Sequence, residues 1–395
     1  MSRVLFILSK PCSPWASSNR THPILEALVA LGHEVDLVTL PSAAPFRVQG
    51  VTTHLVPRVP FCQRLPDGVS LRRGILDMLM LFKAVFLAGR ARYDIIHGVD
   101  DCGVVAWLTG ALTKTPFVYD IQDGAHAKRV AWFRRGTLGL ARFLSRLALR
   151  RADVVIGENP DAVAALSQRG RGARACIIPN LPALTGNVPA PSLNLARARH
   201  KAARGDARPP PTVVTCVGAR DHFRGLALFF NAIPYVLREN ADVRFVVAGG
   251  TEGQIARMRE ALGEAGVTAA VTFTGCLSQT DLAALLMVSD MVVAPCCTGP
   301  SMPIRVLDYL YLSKPIVMVD TGFSKVMFSG HNAMVVDAEH EALAKGILNL
   351  CQYPKFASEL AQKGHETLLV QHRTPEAFRE ALRQCYAYGM ARERE

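Results

Sequence analysis

The stretch Met291–Asp320, MVVAPCCTGPSMPIRVLDYLYLSKPIVMVD, gives the architecture away. A short apolar run, Met291 to Ala294, enters a loop of small residues, Thr298, Gly299, Pro300 and Ser301. A helical pattern follows, and after Lys314 and Pro315 comes a second apolar run, Ile316 to Val319. Runs that are apolar on both faces and joined by a helix are the units of a parallel sheet covered on both sides. Ser301 is a candidate N-cap and Pro303 suits the first turn. Free N–H groups and the positive dipole end at such a helix start favour an anion. Arg305 and Asp308 lie three apart, on one face near that start. A guanidinium suits a diphosphate, and a carboxylate suits vicinal ribose hydroxyls. An ordinary strand–loop–helix crossover with a solvated Arg/Asp pair is the plain alternative.

On either side of this unit the same alternation continues. Thr212–Val217, Val243–Ala248 and Val271–Thr274 precede it, and Ala333–Val336 follows, which makes six strands. Nearer the N-terminus, Val4–Leu8, Glu34–Leu40, Tyr93–His97, Phe117–Ile121 and Asp153–Ile156 are further strands, with a helical stretch Pro23–Leu31 closed by Gly32. Between the two series, Ala183–Pro211 is rich in Pro, Ala and Arg and lacks apolar periodicity, as a linker does. The expectation is an α/β protein of two Rossmann-like, doubly wound domains facing a central cleft. These are residues 1–182 and 212–371, with linker 183–211 and a C-terminal helix, 372–395, returning to the first domain. Ligands of open α/β sheets bind at the carboxyl ends of the strands, so the chemistry is sought there.

One such end carries a second cationic loop, Cys216–Gly225 (CVGARDHFRG). Gly218 ends the strand where backbone can approach a ligand, and Arg220 and Arg224 bracket the loop. Two guanidiniums there suit a diphosphate leaving group whose charge grows in the transition state; solvated loop arginines are the alternative. A dinucleotide-dependent oxidoreductase would need G-x-G-x-x-G after a first strand, and neither RVLFILSKPCS nor TCVGARDHFRG supplies it.

Composition narrows the classes further. A chain of 395 residues, half apolar and one fifth charged, is globular rather than disordered or fibrous. Its ten cysteines are scattered without a C-x-x-C pair, which reads as core thiols of a reducing compartment and neither zinc nor disulfide scaffold. The net charge of +12 favours anionic partners, but no helix-turn-helix, zinc or RNP pattern points to nucleic acid. No D-x-D at a strand end and no ligand-spaced histidines indicate a metal. The N-terminal run RVLFILS is too short for a signal peptide, so a cytoplasmic location is expected. Between Gly124 and Ala152 there are eight Lys/Arg and no acid. Arg135, Arg142, Arg146 and Arg150 share a helix face, with Leu140, Leu144 and Leu147 on another. Such a helix, helped by Trp132, Phe133 and the apolar segment Leu71–Gly89, could lie on the anionic inner face of a membrane. It could equally be a solvated helix packed on the sheet by its leucines. His97 reads as a hydrogen-bonded structural histidine.

The order of landmarks resembles glycosyltransferase family 4, the retaining enzymes of the GT-B fold. GPSMPIRVLDYLYLSKPIV is similar to that family's donor loop, helix and following strand. YDIIHGVDD, FVYDIQDG, RRADVVIGENPDAV and IIPNLP are similar, in order, to landmarks of its acceptor domain. The resemblance implies a nucleoside-diphosphate sugar as donor substrate, no other cofactor and no metal, and a lipid-linked or polysaccharide acceptor. It implies catalytic roles for Arg224, Arg305 and Asp123. Gly218, Arg220, Gly299, Ser301, Met302, Pro303 and Asp308 fall on the donor side, and Asp100, Gln122 and Arg20 on the acceptor side. The sequence departs from the family where Pro300 replaces the first of two acids eight apart, Asp308 being the second, and where Gln122 replaces a histidine. A non-catalytic binding or scaffold protein of the same fold is the alternative.

Overall fold

The computed structural model describes residues 1–9, 20–41, 48–59, 71–122, 138–158, 174–184, 211–218, 223–264, 266–295, 304–320, 328, 331–371 and 373–391. The chain divides into two compact units, Met1–Leu181 with Thr374–Glu395, and Pro182–Arg373.

The first unit is built on seven parallel strands: β1 (Arg3–Leu8), β2 (Glu34–Thr39), β3 (Val51–Leu55), β4 (Ile95–Val99), β5 (Phe117–Asp120), β6 (Val154–Gly157) and β7 (Arg174–Ile177), in the order β3-β2-β1-β4-β5-β6-β7. Winding reverses at β1, which pairs with both β2 and β4. One face of the sheet packs on α1 (Thr21–Ala30) and α11 (Pro375–Ala391), the other on α2 (Leu71–Arg90), α3 (Gly103–Thr113) and α4 (Leu138–Arg151).

The two outermost strands, β3 and β7, are the ones the sequence does not announce. β3, VTTHL, has no fully buried residue, and edge position removes the need for a continuous apolar run. β4 begins two residues later than Tyr93–His97 suggests, and the two residues before it carry side-chain bonds. The Asp94 carboxylate accepts from the Arg3 backbone N–H at 2.7 Å, and the Tyr93 hydroxyl donates to Asp36 at 2.8 Å. Asp36 is thereby the centre of a polar cluster: its Oδ2 also accepts from Arg3 at 2.9 Å, and its Oδ1 lies 2.7 Å from His54 Nε2. In α4 the buried stripe is Ser145, Ala148 and Leu149; Leu144 and Leu147, expected to pack, are only half-buried.

The second unit has six parallel strands: β8 (Thr212–Val217), β9 (Val243–Ala248), β10 (Val271–Gly275), β11 (Met291–Ala294), β12 (Ile316–Val319) and β13 (Met334–Val336), in the order β10-β9-β8-β11-β12-β13. The helices described are α5 (Phe223–Glu239), α6 (Glu252–Glu264), α7 (Gln279–Val288), α8 (Ile304–Tyr311), α9 (His340–Gln352) and α10 (Pro354–Val370). Its winding reverses at β8, between β9 and β11. The two sheets make the protein α/β and doubly wound in both halves.

Two residues assigned to the linker belong to this unit. Leu184 is fully buried among Ala294, Leu307 and Phe328, and Ala183 is tied to α8 by its N–H. The reason is Asp308, a buried acid on α8 that needs donors. At the other end of the chain, α11 places Phe378, Leu382, Cys385 and Tyr386 in the core of the first unit. Gly389 lets it come close: a Cβ there would sit 2.7 Å from Ile95 Cδ1.

Candidate functional site

In the second unit β11 leads toward α8, the helix whose sequence carries the Arg305/Asp308 step. Gly299, Ser301, Met302 and Pro303 lie outside the described residues, as do Arg220 and, in the first unit, Asp123. Arg224 falls in the first turn of α5, immediately after the β8 loop. Gly218, directly after β8, has φ +116, and a Cβ there would meet nothing within 4 Å. Glycine is thus required by conformation, and the space above the backbone is open, which fits a strand end meant to meet a ligand.

Arg305 and Asp308 sit at the start of α8, and Asp308 is 1% exposed. From its spacing this carboxylate is expected at ribose hydroxyls; the structure commits Oδ1 elsewhere. Oδ1 accepts the backbone N–H groups of Ala183 (2.6 Å) and Leu184 (3.1 Å). The carboxylate therefore anchors the incoming chain, whose buried N–H groups need an acceptor. Oδ2 is buried without a hydrogen bond, and so is Nη1 of Arg305. A buried acceptor and a buried donor left unmade within one turn of a helix are a rare combination that calls for a partner. Burial pushes the Asp308 carboxyl up to about 7, against the lowering pull of the Leu184 and Ala183 N–H groups and the Arg305 charge.

In the first unit the polar residues collect at the carboxyl ends of β4 and β5. Asp100, just past β4, has φ +48, an uncommon conformation for an aspartate. Its Oδ1 accepts the Gln122 backbone N–H at 2.9 Å, which ties together the chain segments that follow β4 and β5. The Gln122 amide donates to Asp120 Oδ2 at 2.7 Å. Arg20, at the N-cap of α1, is 2% exposed and lies 3.7 Å from Asp120 Oδ1. None of its three side-chain nitrogens makes a hydrogen bond, and neither does Asp120 Oδ1. The structure thus joins two expected acceptor-side residues, Arg20 and Gln122, through a third, Asp120, that no motif singles out. Asp120 could have been noticed as an acid closing the apolar strand FVYD.

One layer below, His97 is fully buried and stacked on Phe6 at 4.3 Å. Its Nδ1 is 2.7 Å from the Tyr386 hydroxyl and its Nε2 a long 3.4 Å from Asp120 Oδ2. A carboxylate only accepts, so Nε2 carries the proton and Nδ1 accepts from Tyr386. Burial, then Asp120, then Cys385 raise the Tyr386 phenol far above its usual range, so it stays a donor. For Asp120 burial is opposed by the Arg20 charge and by hydrogen bonds from His97 and Gln122, which together hold the carboxyl below its usual range. No local pattern marks Tyr386; only the return of α11 brings it here. Among the described residues no cluster of three or more His, Cys, Asp or Glu could hold a metal ion, and no helix is long and apolar enough to cross a membrane.

Two parallel sheets, each doubly wound, with polar groups gathered at strand ends, are the build of the GT-B class of α/β proteins. Comparison with known proteins gives the family. Residues 17–181 match the family "Glycosyl transferase 4-like domain", and residues 211–353 match "Glycosyl transferases group 1". Together the two matches account for most of both units, and the chain belongs to this family: it is a glycosyltransferase. Among curated proteins no sequence matches it. Among solved structures it is similar to sucrose-phosphate synthase from Thermosynechococcus elongatus, with TM-score 0.72 and 18% identity over 98% of each chain. It is also similar to Anabaena HepE in complex with UDP-glucose, with TM-score 0.70 and 15% identity over 97% of this chain and 99% of that one. A glycosyltransferase from Rickettsia africae follows at TM-score 0.70 and 10% identity, over 98% and 97%. At these identities the likeness is one of fold.

Proposed function

We propose that the chain moves a sugar, with retention, from a nucleoside-diphosphate sugar to a lipid-linked or polysaccharide acceptor at the cytoplasmic face of a membrane. The observation that carries this reading is the unmade donor–acceptor pair, Arg305 Nη1 and Asp308 Oδ2, at the start of α8 in the unit that matches the group 1 family. A nucleotide supplies the opposite pair: phosphate oxygens accept from a guanidinium, and ribose hydroxyls donate to a carboxylate oxygen. HepE was solved with UDP-glucose, which supports a nucleotide-sugar donor here.

In this reading Arg224 and Arg305 hold the diphosphate, and Gly218, Arg220, Gly299, Ser301, Met302 and Pro303 shape the donor loops. Asp308 contributes Oδ2 alone, since Oδ1 is committed to backbone. The bond from the anomeric carbon to the diphosphate breaks as the acceptor oxygen attacks from the same face. The acceptor proton passes to the departing phosphate oxygen, so no side-chain base is needed. Positioning and charge stabilisation by guanidiniums supply the rate, without a divalent ion. On the other side, Arg20 and Asp120 offer unmade donors beside an unmade acceptor, the complement of a hydroxyl; Gln122 and Asp100 keep that edge in place, and Asp123 keeps the catalytic role that the family resemblance implies.

The test has two stages. A thermal-shift screen of nucleoside diphosphates should single out one base by a raised melting temperature, and Arg305→Ala should abolish that shift. Release of the diphosphate is then measured with candidate acceptors. Release that depends on acceptor, and falls by about two orders of magnitude or more in Arg224→Ala, supports transfer. Donor binding without turnover across the acceptor panel assigns the chain to the scaffold alternative.

A further inference from the structure

Helix α2 is apolar on both sides. Its inner side buries Leu76, Met80 and Ala84 in the first unit's core. Its outer side carries Ile75, Met78, Phe82 and Phe86, whose spacing of three, four and four places them on one stripe about 16 Å long at 1.5 Å per residue. Phe82 is 65% exposed, Met78 56% and Phe86 51%. Single exposed apolar residues are ordinary; an aligned row of large ones is the mark of an interaction surface. α3 packs beside α2 and α4 beside α3, and they expose Leu112 and Phe143, 68% and 59% respectively.

The charge on this layer is as one-sided as its hydrophobicity. Helices α2, α3 and α4 contain eight Lys/Arg and one acid, Asp77. Arg73 is buried and paired with Asp77 at 2.9 Å and with Asp101 at 3.5 Å, which leaves seven other Lys/Arg and no other acid on these helices. Where α2 and α3 end, a recess of about 480 Å³ is lined by Arg90, Arg92 and Lys114 together with Tyr93, Thr113 and Thr115. Arg90 also lies over the Phe86 ring, 4.2 Å from its centroid, so a cation sits at the boundary of the apolar stripe.

We propose that the outer face of α2, with Leu112 and Phe143 beside it, docks the chain on an anionic bilayer. The aromatic side chains enter the boundary between headgroups and acyl chains, and the Arg90/Arg92/Lys114 recess holds a lipid phosphate. An apolar stripe flanked by cations is the arrangement that gains from both acyl contact and anionic headgroups. A second copy of the chain fits poorly on the same face. A two-fold pair would bring this cationic layer against itself. In this proposal α4, the helix expected from sequence to be basic, contributes Phe143, and α2 contributes the aligned row of exposed apolar side chains.

The experiment is co-sedimentation of the full chain with vesicles, without donor or acceptor, so its outcome is independent of the transfer reading. Vesicles of phosphatidylcholine containing phosphatidylglycerol should retain the chain at least about ten-fold more strongly than phosphatidylcholine alone, and added salt should release it. Phe82→Ser with Phe86→Ser should lower binding about ten-fold or more. Arg90→Glu with Lys114→Glu should remove most of the salt dependence. All four residues are exposed, and an unchanged melting temperature verifies each fold. Equal binding by native and both variants, absence of binding to anionic vesicles, or a native dimer dispersed by the Phe substitutions with no vesicle binding would each overturn the proposal.

Discussion

Asp308 is an acid whose cost to the fold depends on pH. Its carboxyl titrates near 7 in the folded chain, against the ordinary value of 3.8 expected once the chain unfolds. Between these values the folded chain holds a proton that the unfolded chain has lost. Its contribution is therefore most favourable at low pH, declines as pH rises from about 4 to 7, and is flat above. The slope cannot exceed about 1.4 kcal/mol per pH unit. Asp308→Asn keeps an acceptor for Ala183 and Leu184 but does not titrate, so thermal melts of the ligand-free chain from pH 5 to 8 should show a shallower decline in the variant. Tyr386 is a second residue whose role is defined by one bond. Tyr386→Phe leaves His97 Nδ1 buried without its donor and should cost about 1–2 kcal/mol in urea unfolding, while Phe378 and Leu382 still pack.

Among the elements, the end of α8 shows how a few backbone bonds stop a helix. Ser313 has φ +50; its N–H reaches the Leu310 carbonyl at 3.1 Å, and the Lys314 N–H reaches that of Tyr309 at 2.9 Å. This is the paired closure that usually employs glycine, with a proline following, here Pro315. Lys314 adds bonds from Nζ to the carbonyls of Met287 and Ser289, at 2.8 and 2.9 Å, fixing the end of α8 to that of α7. A serine in the left-handed region carries a steric cost that glycine does not. Ser313→Gly should raise stability by about 0.5–1 kcal/mol, read as a higher denaturation midpoint with unchanged m-value. The opposite result would mean that the serine side chain has a partner that compensates for its backbone.

Across the whole chain, the first unit is completed by residues more than 180 positions away. The side chains of Phe378, Leu382, Cys385 and Tyr386 are at most 2% exposed in its core. Burying a large apolar side chain is worth about 1.5–3 kcal/mol, so together they approach the whole net stability of a typical domain, about 5–15 kcal/mol. Deleting residues 374–395 should therefore unfold the first unit, seen as loss of its calorimetric transition, while residues 182–373 retain theirs. The parallel strands of both sheets were legible because each inner strand is apolar on both faces and separated from the next by a helical period. That local signal also located α8 and its Arg305/Asp308 pair. β3 and β7 left no such trace, since edge strands need no unbroken apolar run. Local pattern was thus enough for the two doubly wound halves and for the helix that carries Arg305 and Asp308. Three outcomes came from long-range packing instead: Asp308 commits one oxygen to the backbone of Ala183 and Leu184, Arg20, Asp120, His97 and Tyr386 meet, and α2 turns two phenylalanines outward. They depend on which distant groups are within hydrogen-bond reach and which helix face the sheet covers, and neither is encoded in the spacing of neighbouring residues.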